Sequence, residues 1–475
     1  MADTLKPDLC IIGAGSAGLS VAAGAVQMGA SVVLVEKGAM GGDCLNTGCV
    51  PSKALLAAAH AAHESTRAAH FGVNAPPAAA DFAAVHGHVH NVIAGIAPHD
   101  SVERFEGLGV DVIQGAAAFT SPRDLEVNGT TVRARRFVIA SGSSPFVPPI
   151  DGLDVTPYLT NETIFDLTSA PAHLIIVGGG PIGCELAQAH RRLGCQVTML
   201  ESNVILPKDD PDLTAVIRAG LTGDGVALIE SAEVMRTSPT EGGVEVTYRR
   251  EGADHTITGS HLLIAVGRRP SVDGLGLDAA AVIFSPKGIE VDAGLRTSNR
   301  RIYAIGDCIG GLQFTHVAGY HAGIVIRSAL FRLPAKADHS TVPWVTYTDP
   351  ELAQVGLTEA QARDRHGDSI RVVTWPFKEN DRARAERKTD GLIKAVIAKN
   401  GRILGCGIAG AGAGELIQLW ILALSQKLKI GAVAGMIAPY PTLGEVSKRV
   451  AGAYYTPALF SRRTRFIVRL LSLFG

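Results

Sequence analysis

Short apolar runs, each closed by a glycine-rich turn, recur along this chain and set its organisation. Leu9 to Ile12 is such a run, followed by Gly13-Ala14-Gly15-Ser16-Ala17-Gly18, an alanine-rich stretch, and a second apolar run from Ser31 to Val35 that ends in Glu36. Apolar runs of this length bounded by turn residues read as buried strands, and the alanine-rich stretch between them as a helix. The pattern returns further on. Leu174 to Val177 leads into Gly178-Gly179-Gly180-Pro181-Ile182-Gly183, a helix, the strand Gln196 to Leu200, and Glu201. In both copies the acidic residue lies 23 positions after the first glycine.

That spacing has a physical reading. The first glycine makes a tight turn, the second lets a pyrophosphate approach the backbone, and the third packs helix on strand. The diphosphate then rests on the helix N-terminus, where free N–H groups and the helix dipole favour an anion. The carboxylates Glu36 and Glu201 sit where a ribose hydroxyl would be bound. One such turn is a weak signal. Two with the same tail spacing predict two dinucleotide sites on one chain, and hence an electron relay between two cofactors.

Softer boundaries follow from the turns. Residues 115–150 alternate short strands with turns and end in Ala140-Ser141-Gly142-Ser143-Ser144-Pro145, and Ala265-Val266-Gly267-Arg268-Arg269-Pro270 closes the second unit in the same way. Domains are expected over 1–150, 151–270, 271–345 and 346–475. The third contains the strand-like Ile302-Tyr303-Ala304-Ile305-Gly306-Asp307, and the last mixes strands with an Ala/Leu-rich helical stretch. A chain of 475 residues is too long for one core, which agrees with this division.

Composition narrows the class. The chain is 47% hydrophobic and 19% charged, with a net charge of −1, so no nucleic-acid footprint is expected. The first residues run almost directly into the first strand without a basic, long apolar leader, and no apolar stretch is long enough to span a bilayer, so a cytoplasmic protein is expected. Its seven cysteines are scattered except for Cys44 and Cys49. In a reducing compartment such a pair is redox-active or metal-binding rather than a structural staple.

The pair lies in Gly41-Gly42-Asp43-Cys44-Leu45-Asn46-Thr47-Gly48-Cys49-Val50-Pro51-Ser52-Lys53. Flowing into a helix, this segment places Cys49 near the helix start, where the thiolate is favoured. A zinc half-site or two free thiols are the alternatives. Zinc would require two further ligands at metal-like spacing, and the other cysteines form no second pair, so no metal site is expected. His86, His88 and His90 fall in a stretch expected to be helical, as a solvated face, and Cys184 and Cys308 read as packing residues.

GGDCLNTGCVPSKALL resembles the active-site signature of the flavoprotein disulfide reductases, the family of dihydrolipoamide dehydrogenase, glutathione reductase and mercuric reductase, and the likeness runs nearly end to end. The fold it implies is α/β, with two Rossmann-like domains for FAD and NAD and a C-terminal α+β dimerisation domain. The resemblance implies FAD contacts from Gly13, Gly15, Ser16, Ala17, Gly18, Glu36, Lys37, Gly42, Asp43, Cys44, Lys53, Gly115, Ala116, Ser141 and Gly142. Asp307 closes a segment resembling the family's second FAD motif, and Gln313, Phe314, Thr315 and His316 fall along the flavin pyrimidine. NAD contacts are implied for Gly178, Gly180, Pro181, Ile182, Gly183, Glu185, Glu201, Val234 and Gly267. Pro350-Glu351 and Val355-Gly356-Leu357-Thr358-Glu359 resemble the homodimer-forming domain.

By the same resemblance, reduced nicotinamide feeds the flavin, Cys49 faces the isoalloxazine ring, and Cys44 is the interchange thiol that meets a small disulfide. Lys53 and Glu185 match the family's ion pair near the flavin, the alternative being two surface charges on helices. Glu201, followed by no arginine until Arg218, repels a 2′-phosphate and favours NAD(H) over NADP(H). Pro181 departs from the aromatic residue often found in this turn of glutathione reductases.

One departure bears on the substrate. Disulfide-reducing members end in His-Pro-Thr-x-x-Glu, whereas this chain reads Ala438-Pro439-Tyr440-Pro441-Thr442-Leu443-Gly444-Glu445. Glu445 is in register, but Tyr440 replaces the acid–base histidine. A tyrosine titrates about 3.5 units above a histidine, roughly 4.8 kcal/mol in proton affinity, so Tyr440 is expected to be a poor base for Cys44. Mercuric reductase has a similar Pro-Tyr segment, which makes a soft metal ion the alternative substrate. This chain lacks that enzyme's paired-cysteine N-terminal domain and C-terminal vicinal cysteines, and is read as a dihydrolipoamide dehydrogenase-like or mercuric reductase-like relative. A rival of another class is a non-catalytic nucleotide-binding or membrane-associated partner protein. The tail from Ser461 to Phe474 mixes four arginines with apolar residues, suiting weak contact with an anionic membrane surface or packing on the dimer.

Overall fold

The structure is a computed structural model that describes residues 4–74 and 79–474. The chain divides into two compact units. The first comprises Met1–Gly178, Ala189–Ser202 and Ser231–Asp338, and the second Gly179–Gln188, Asn203–Glu230 and His339–Gly475.

The first unit is organised by two parallel sheets. One has five strands in the order Ile302–Ala304, Arg136–Ile139, Leu9–Ile12, Val32–Glu36, Val110–Gln114. Leu9–Ile12 lies at its centre and is buried on both faces, which is why the run reads as uninterrupted apolar sequence rather than as alternation. Helices Ser16–Gln27 and Thr315–Ala329 pack together over this sheet, and a shared core of Leu9, Ile11, Leu34, Val138, Tyr303 and Val325 fills the space. The strand Ile302–Ala304 is supplied by residues far along the chain, so the stretch expected to form a central domain completes the first sheet. The other parallel sheet of this unit carries His261–Ile264, His173–Val177 and Gln196–Glu201 in that order. The antiparallel meander Glu233–Thr240, Gly243–Arg250, Ala253–Gly259 leads back into it. The two turns singled out by their closing prolines pair with each other, with Arg268 opposite Pro145 and Pro270 opposite Ser143.

The strand expected at Ser31 to Val35 runs Val32–Glu36, and the one expected at Gln196 to Leu200 runs to Glu201, because each acidic residue still pairs or hydrogen-bonds through its backbone.

The second unit is built on five antiparallel strands in the order Pro343–Thr346, Glu351–Gly356, Ile403–Gly410, Leu392–Ala398, Ile370–Pro376. Helices cover it, and Phe377, Trp420 and Val446 are buried between them. The Trp420 indole donates to Ser447 Oγ at 3.0 Å. Lys394 is a buried cation in this unit, with Nζ 2.9 Å from Asp210, 2.7 Å from Asp212 and 2.6 Å from Glu359. Three carboxylates offset the desolvation of that ammonium. Among the described residues no helix is long and apolar enough to cross a membrane.

Candidate redox site

The dithiol segment folds around two helix starts. Cys44 lies in the short helix Gly42–Asn46, and Cys49 is the first residue of the 19-residue helix Cys49–Arg67. Their side chains are placed to hydrogen-bond to one another. That bond, ahead of all else, pulls the Cys49 thiol from its ordinary 9.0 down to about 6, against partial burial; the Thr315 hydroxyl and the Lys53 charge add to the lowering. Thr315 Oγ1 stands 3.5 Å from Cys49 Sγ. The same bond, followed by burial, holds the Cys44 thiol well above the thiol range. A cysteine at a helix start with a lowered thiol pKa is the reactive kind, and Cys49 meets both conditions. The remaining cysteines, at 10, 184, 195, 308 and 406, are buried.

A cradle for FAD surrounds this pair. Gly13 adopts φ +104°, and a Cβ there would stand 2.3 Å from Ala140 O, so only glycine fits the turn. Gly42, at φ +60°, faces Gly15 so closely that a Cβ would meet Gly15 Cα at 2.8 Å. Helix Ser16–Gln27 begins with no side-chain cap, and by helix geometry the N–H groups of Ser16, Ala17 and Gly18 have no acceptor within the helix. Those donors suit a diphosphate. The Ser16 hydroxyl also reaches Cys44.

Glu36 is held by the turn it serves: its carboxylate accepts from Ala14 N, and from Gly38 N at 2.7 Å. Lys37 follows it directly in the chain, and Gly115, beside Ala116, donates its N–H to Glu36 O at 2.8 Å. Gln313 Nε2 is buried and makes no hydrogen bond to any described residue. Next to it the Phe314 and His316 rings stack with centroids 5.2 Å apart. Helix-start donors, a carboxylate at the end of the second strand and an unsatisfied buried amide form a polar set that fits FAD.

Sequence reasoning missed the polar relay behind this cradle. Ser143 Oγ donates to Asp307 Oδ2 at 2.6 Å, and Arg268 donates to Ser143 through Nε at 2.8 Å and Nη2 at 3.0 Å. Arg268 also lies 3.2 Å from Asp43, whose carboxylate accepts from Asn161 at 3.0 Å. Burial pushes the Asp307 carboxyl up, with Ser143 and Arg268 acting against it. Ser141 donates to Ser271 O at 2.7 Å, and Gly142 O accepts from Ser271 N, tying the same loop. The signal for Arg268 and Ser143 was present, since each stands in one of the two proline-closed turns; Asn161, which binds Asp43, is distant in sequence and carried none.

The second turn begins at Gly178, φ +111°, and runs into helix Pro181–Arg192 through Ile182 and Gly183. Proline suits the first helical position because its missing N–H would have no acceptor there. At Gly180 a Cβ would meet nothing within 4 Å, which leaves the backbone open to an approaching group. Glu201 ends its strand, and Ser202 Oγ donates to its carboxylate at 3.2 Å. Val234 lies in strand Glu233–Thr240, and Gly267 O accepts from Phe146 N at 2.9 Å. Arg218 is engaged bidentately by Glu230, at 2.9 and 2.8 Å.

Glu185 is buried and accepts from Tyr347 N at 2.9 Å, so the alternative of a surface charge does not hold for it: the helix turns it inward. Lys53 Nζ lies 3.4 Å from Ser52 Oγ.

Tyr440 is an exposed side chain whose hydroxyl donates to Asp381 at 3.2 Å. Asp381 raises the tyrosine's pKa further, first through that hydrogen bond and then by charge. Glu445 begins helix Glu445–Ala453.

Two cysteines at helix starts, beside a flavin-type cradle and with a second dinucleotide turn in the same chain, define a flavin-dependent dithiol oxidoreductase. The chain belongs to the pyridine nucleotide-disulphide oxidoreductase family: that family's model matches residues 7–322, and the model of its dimerisation domain matches residues 342–451. It is 36% identical over 455 residues to a mercuric reductase of Streptomyces lividans, covering 94% of this chain and 96% of that protein. It is 34% identical over 461 residues to a dihydrolipoyl dehydrogenase of Staphylococcus aureus, covering 94% and 96%. Among solved structures, the Cu(II) complex of the HOCl-induced flavoprotein disulfide reductase RclA from Escherichia coli superposes with a TM-score of 0.84 at 30% identity, covering 94% of this chain and 99% of that one. The Streptomyces relative is matched over nearly its whole length, so length alone does not separate this chain from proteins bearing that name.

Proposed function

We propose that this protein oxidises NADH and delivers the electrons through Cys44 and Cys49 to a small disulfide. The observation that carries the reading is the placement of the pair: Cys49 opens helix Cys49–Arg67 with Thr315 Oγ1 3.5 Å from its sulfur, and Cys44 and Cys49 are the two cysteines that are not buried. FAD, when bound, accepts the nicotinamide's hydride and supplies two electrons to the disulfide. Ser16, Ala17 and Gly18 would hold its diphosphate, Glu36 its ribose, Asp307 its ribityl chain and Gln313 its pyrimidine. Lys53 and Glu185 would form the pair that modulates its potential. The two electrons cleave the Cys44–Cys49 bond, leaving Cys49 as thiolate while Cys44 takes a proton. Cys44, once deprotonated, attacks the substrate disulfide and releases one thiol, and Cys49 then displaces the second as the internal disulfide re-forms.

Glu201 supports NADH, and Arg218, committed to Glu230, is not available to a 2′-phosphate. The proposed layout is an FAD domain over 1–150, an NAD domain over 151–270, a central domain over 271–345 and an interface domain over 346–475. The molecule works as a cytoplasmic homodimer in which Tyr440 and Glu445 of one protomer complete the site around the other's cysteines.

A second reading, reduction of a soft metal ion held by the two sulfurs, is favoured by Tyr440. With its proton committed to Asp381 it is poorly suited to deprotonate Cys44 for exchange, whereas a metal ion needs less proton traffic. The test is NADH and NADPH consumption by holoenzyme over lipoamide, glutathione disulfide and mercuric ion, for wild type and Tyr440→His. Disulfide turnover that rises at least tenfold in the histidine variant supports the disulfide reading with an impaired base. Turnover on the metal ion alone, unchanged by Tyr440→His, selects the second reading. Loss of neither activity in Cys49→Ser would sink both.

A further inference from the structure

The carboxyl-terminal helix Arg462–Leu471 is a ten-residue element whose side chains find no core among the described residues. It starts at Ser461, whose hydroxyl caps Thr464 N at 3.2 Å, and none of its residues is buried. Its chemistry is nonetheless segregated. At 100° per residue, Arg462, Arg465 and Arg469 share one side, while Phe466, Ile467, Leu470 and Leu471 share another. Phe466 is 66% exposed and Leu471 61% exposed, and the chain continues through Leu473 and Phe474 at 77% and 81%. So large an apolar surface left in water calls for a partner.

The charge pattern says which. After Glu445 the sequence contains no Asp or Glu, but carries Lys448, Arg449, Arg462, Arg463, Arg465 and Arg469. A second copy brought against the helix would meet it with the same arginines and no carboxylate from its own tail. An anionic bilayer surface offers both things the helix lacks, phosphate for the guanidinium groups and acyl chains for the phenyl and leucyl side chains. The length fits a helix lying in the interface. Ten residues reach about 15 Å, half the ~30 Å of a hydrocarbon core. Arg463, 100° on from Arg462, falls within the apolar arc itself, and its stem is long enough to lift its charge to the headgroups.

We propose that residues 461–474 dock the protein on anionic lipid, with the apolar side of Arg462–Leu471 buried at the headgroup boundary and its arginines on the phosphates.

The experiment is vesicle co-sedimentation of full-length holoenzyme, with phosphatidylglycerol-containing and pure phosphatidylcholine vesicles. It is run for wild type, a variant carrying Arg462→Gln, Arg463→Gln, Arg465→Gln and Arg469→Gln together, and a Phe466→Ser/Leu470→Ser variant. NADH oxidation and sedimentation mass are recorded alongside, so that a folding defect is distinguished from lost docking. Wild type is expected to pellet with the anionic vesicles and to be released by salt. The arginine variant is expected to bind at least about a hundredfold more weakly, and the Phe466/Leu470 variant to lose binding, both with unchanged activity and mass. Equal binding to neutral vesicles, no binding by wild type, or a tail variant that alters the oligomer's mass while wild type ignores vesicles would each overturn the proposal. The last result would make the helix a contact between protomers.

Discussion

Removing the Cys44 sulfur should disarm Cys49 electrostatically, before any question of turnover arises. The hydrogen bond from Cys44 is the largest influence holding the Cys49 thiol at about 6 rather than 9.0. In Cys44→Ala that donor disappears, while Thr315 at 3.5 Å and the Lys53 charge remain, so the Cys49 midpoint should rise by at least about one unit but stop short of 9.0. The consequence at neutral pH is large. At pH 7 a thiol of pKa 6 is roughly nine-tenths ionised and one of pKa 8 about one-tenth, a near tenfold loss of thiolate.

The assay is the pH dependence of carboxamidomethylation at Cys49 in reduced native protein, read by peptide mass. The other five cysteines are buried and remain silent under native conditions. Thr315→Val serves as the companion variant and should move the midpoint upward by less. The sign for stability follows as well. A thiol with a depressed folded pKa stabilises the reduced fold fully above 9.0 and loses that contribution as pH falls through about 6. If Cys49 in Cys44→Ala still titrates near 6, the hydrogen bond is not the cause, and the helix start with Lys53 must be credited instead.

Two further outcomes test the second unit. Lys394→Met strips the cation from Asp210, Asp212 and Glu359 and should cost roughly 3–5 kcal/mol in urea unfolding; a loss under about 1 kcal/mol would show that water already screens the cluster. Burial raises the Asp209 carboxyl from 3.8 to about 6, although Trp344 Nε1 donates to it at 2.6 Å. Because its folded pKa is raised, Asp209 favours the fold below 3.8, and that contribution fades as pH climbs through about 6. Asp209→Asn should therefore be the more stable protein at pH 7 by up to about 3 kcal/mol, with the difference closing near pH 4. Parallel unfolding curves for the two proteins across this range would refute it.

The repeated turn, the Cys44–Cys49 pair and the Tyr440 substitution were all legible in the chain, because each is a local pattern whose physics operates over a few residues. A glycine at φ +104°, a thiol at a helix start and a phenol in place of an imidazole need no distant partner to be recognised. What the tertiary structure decided is everything that depends on which groups end up within hydrogen-bonding reach. Arg268, Ser143 and Asn161 joined the site through residues more than a hundred positions away, and Ile302–Ala304 entered a sheet begun at Leu9. The surroundings of Cys49 were decided the same way, by the arrival of Thr315, 266 residues on. The exposure of Arg462–Leu471 belongs there too: its amphipathic order is written in the sequence, but only the folded chain shows that no core of the described structure takes it in. Periodicity and motif spacing encode what a segment can do alone; long-range contacts carry no local signature, since the entropy of bringing them together is offset only once the whole unit closes.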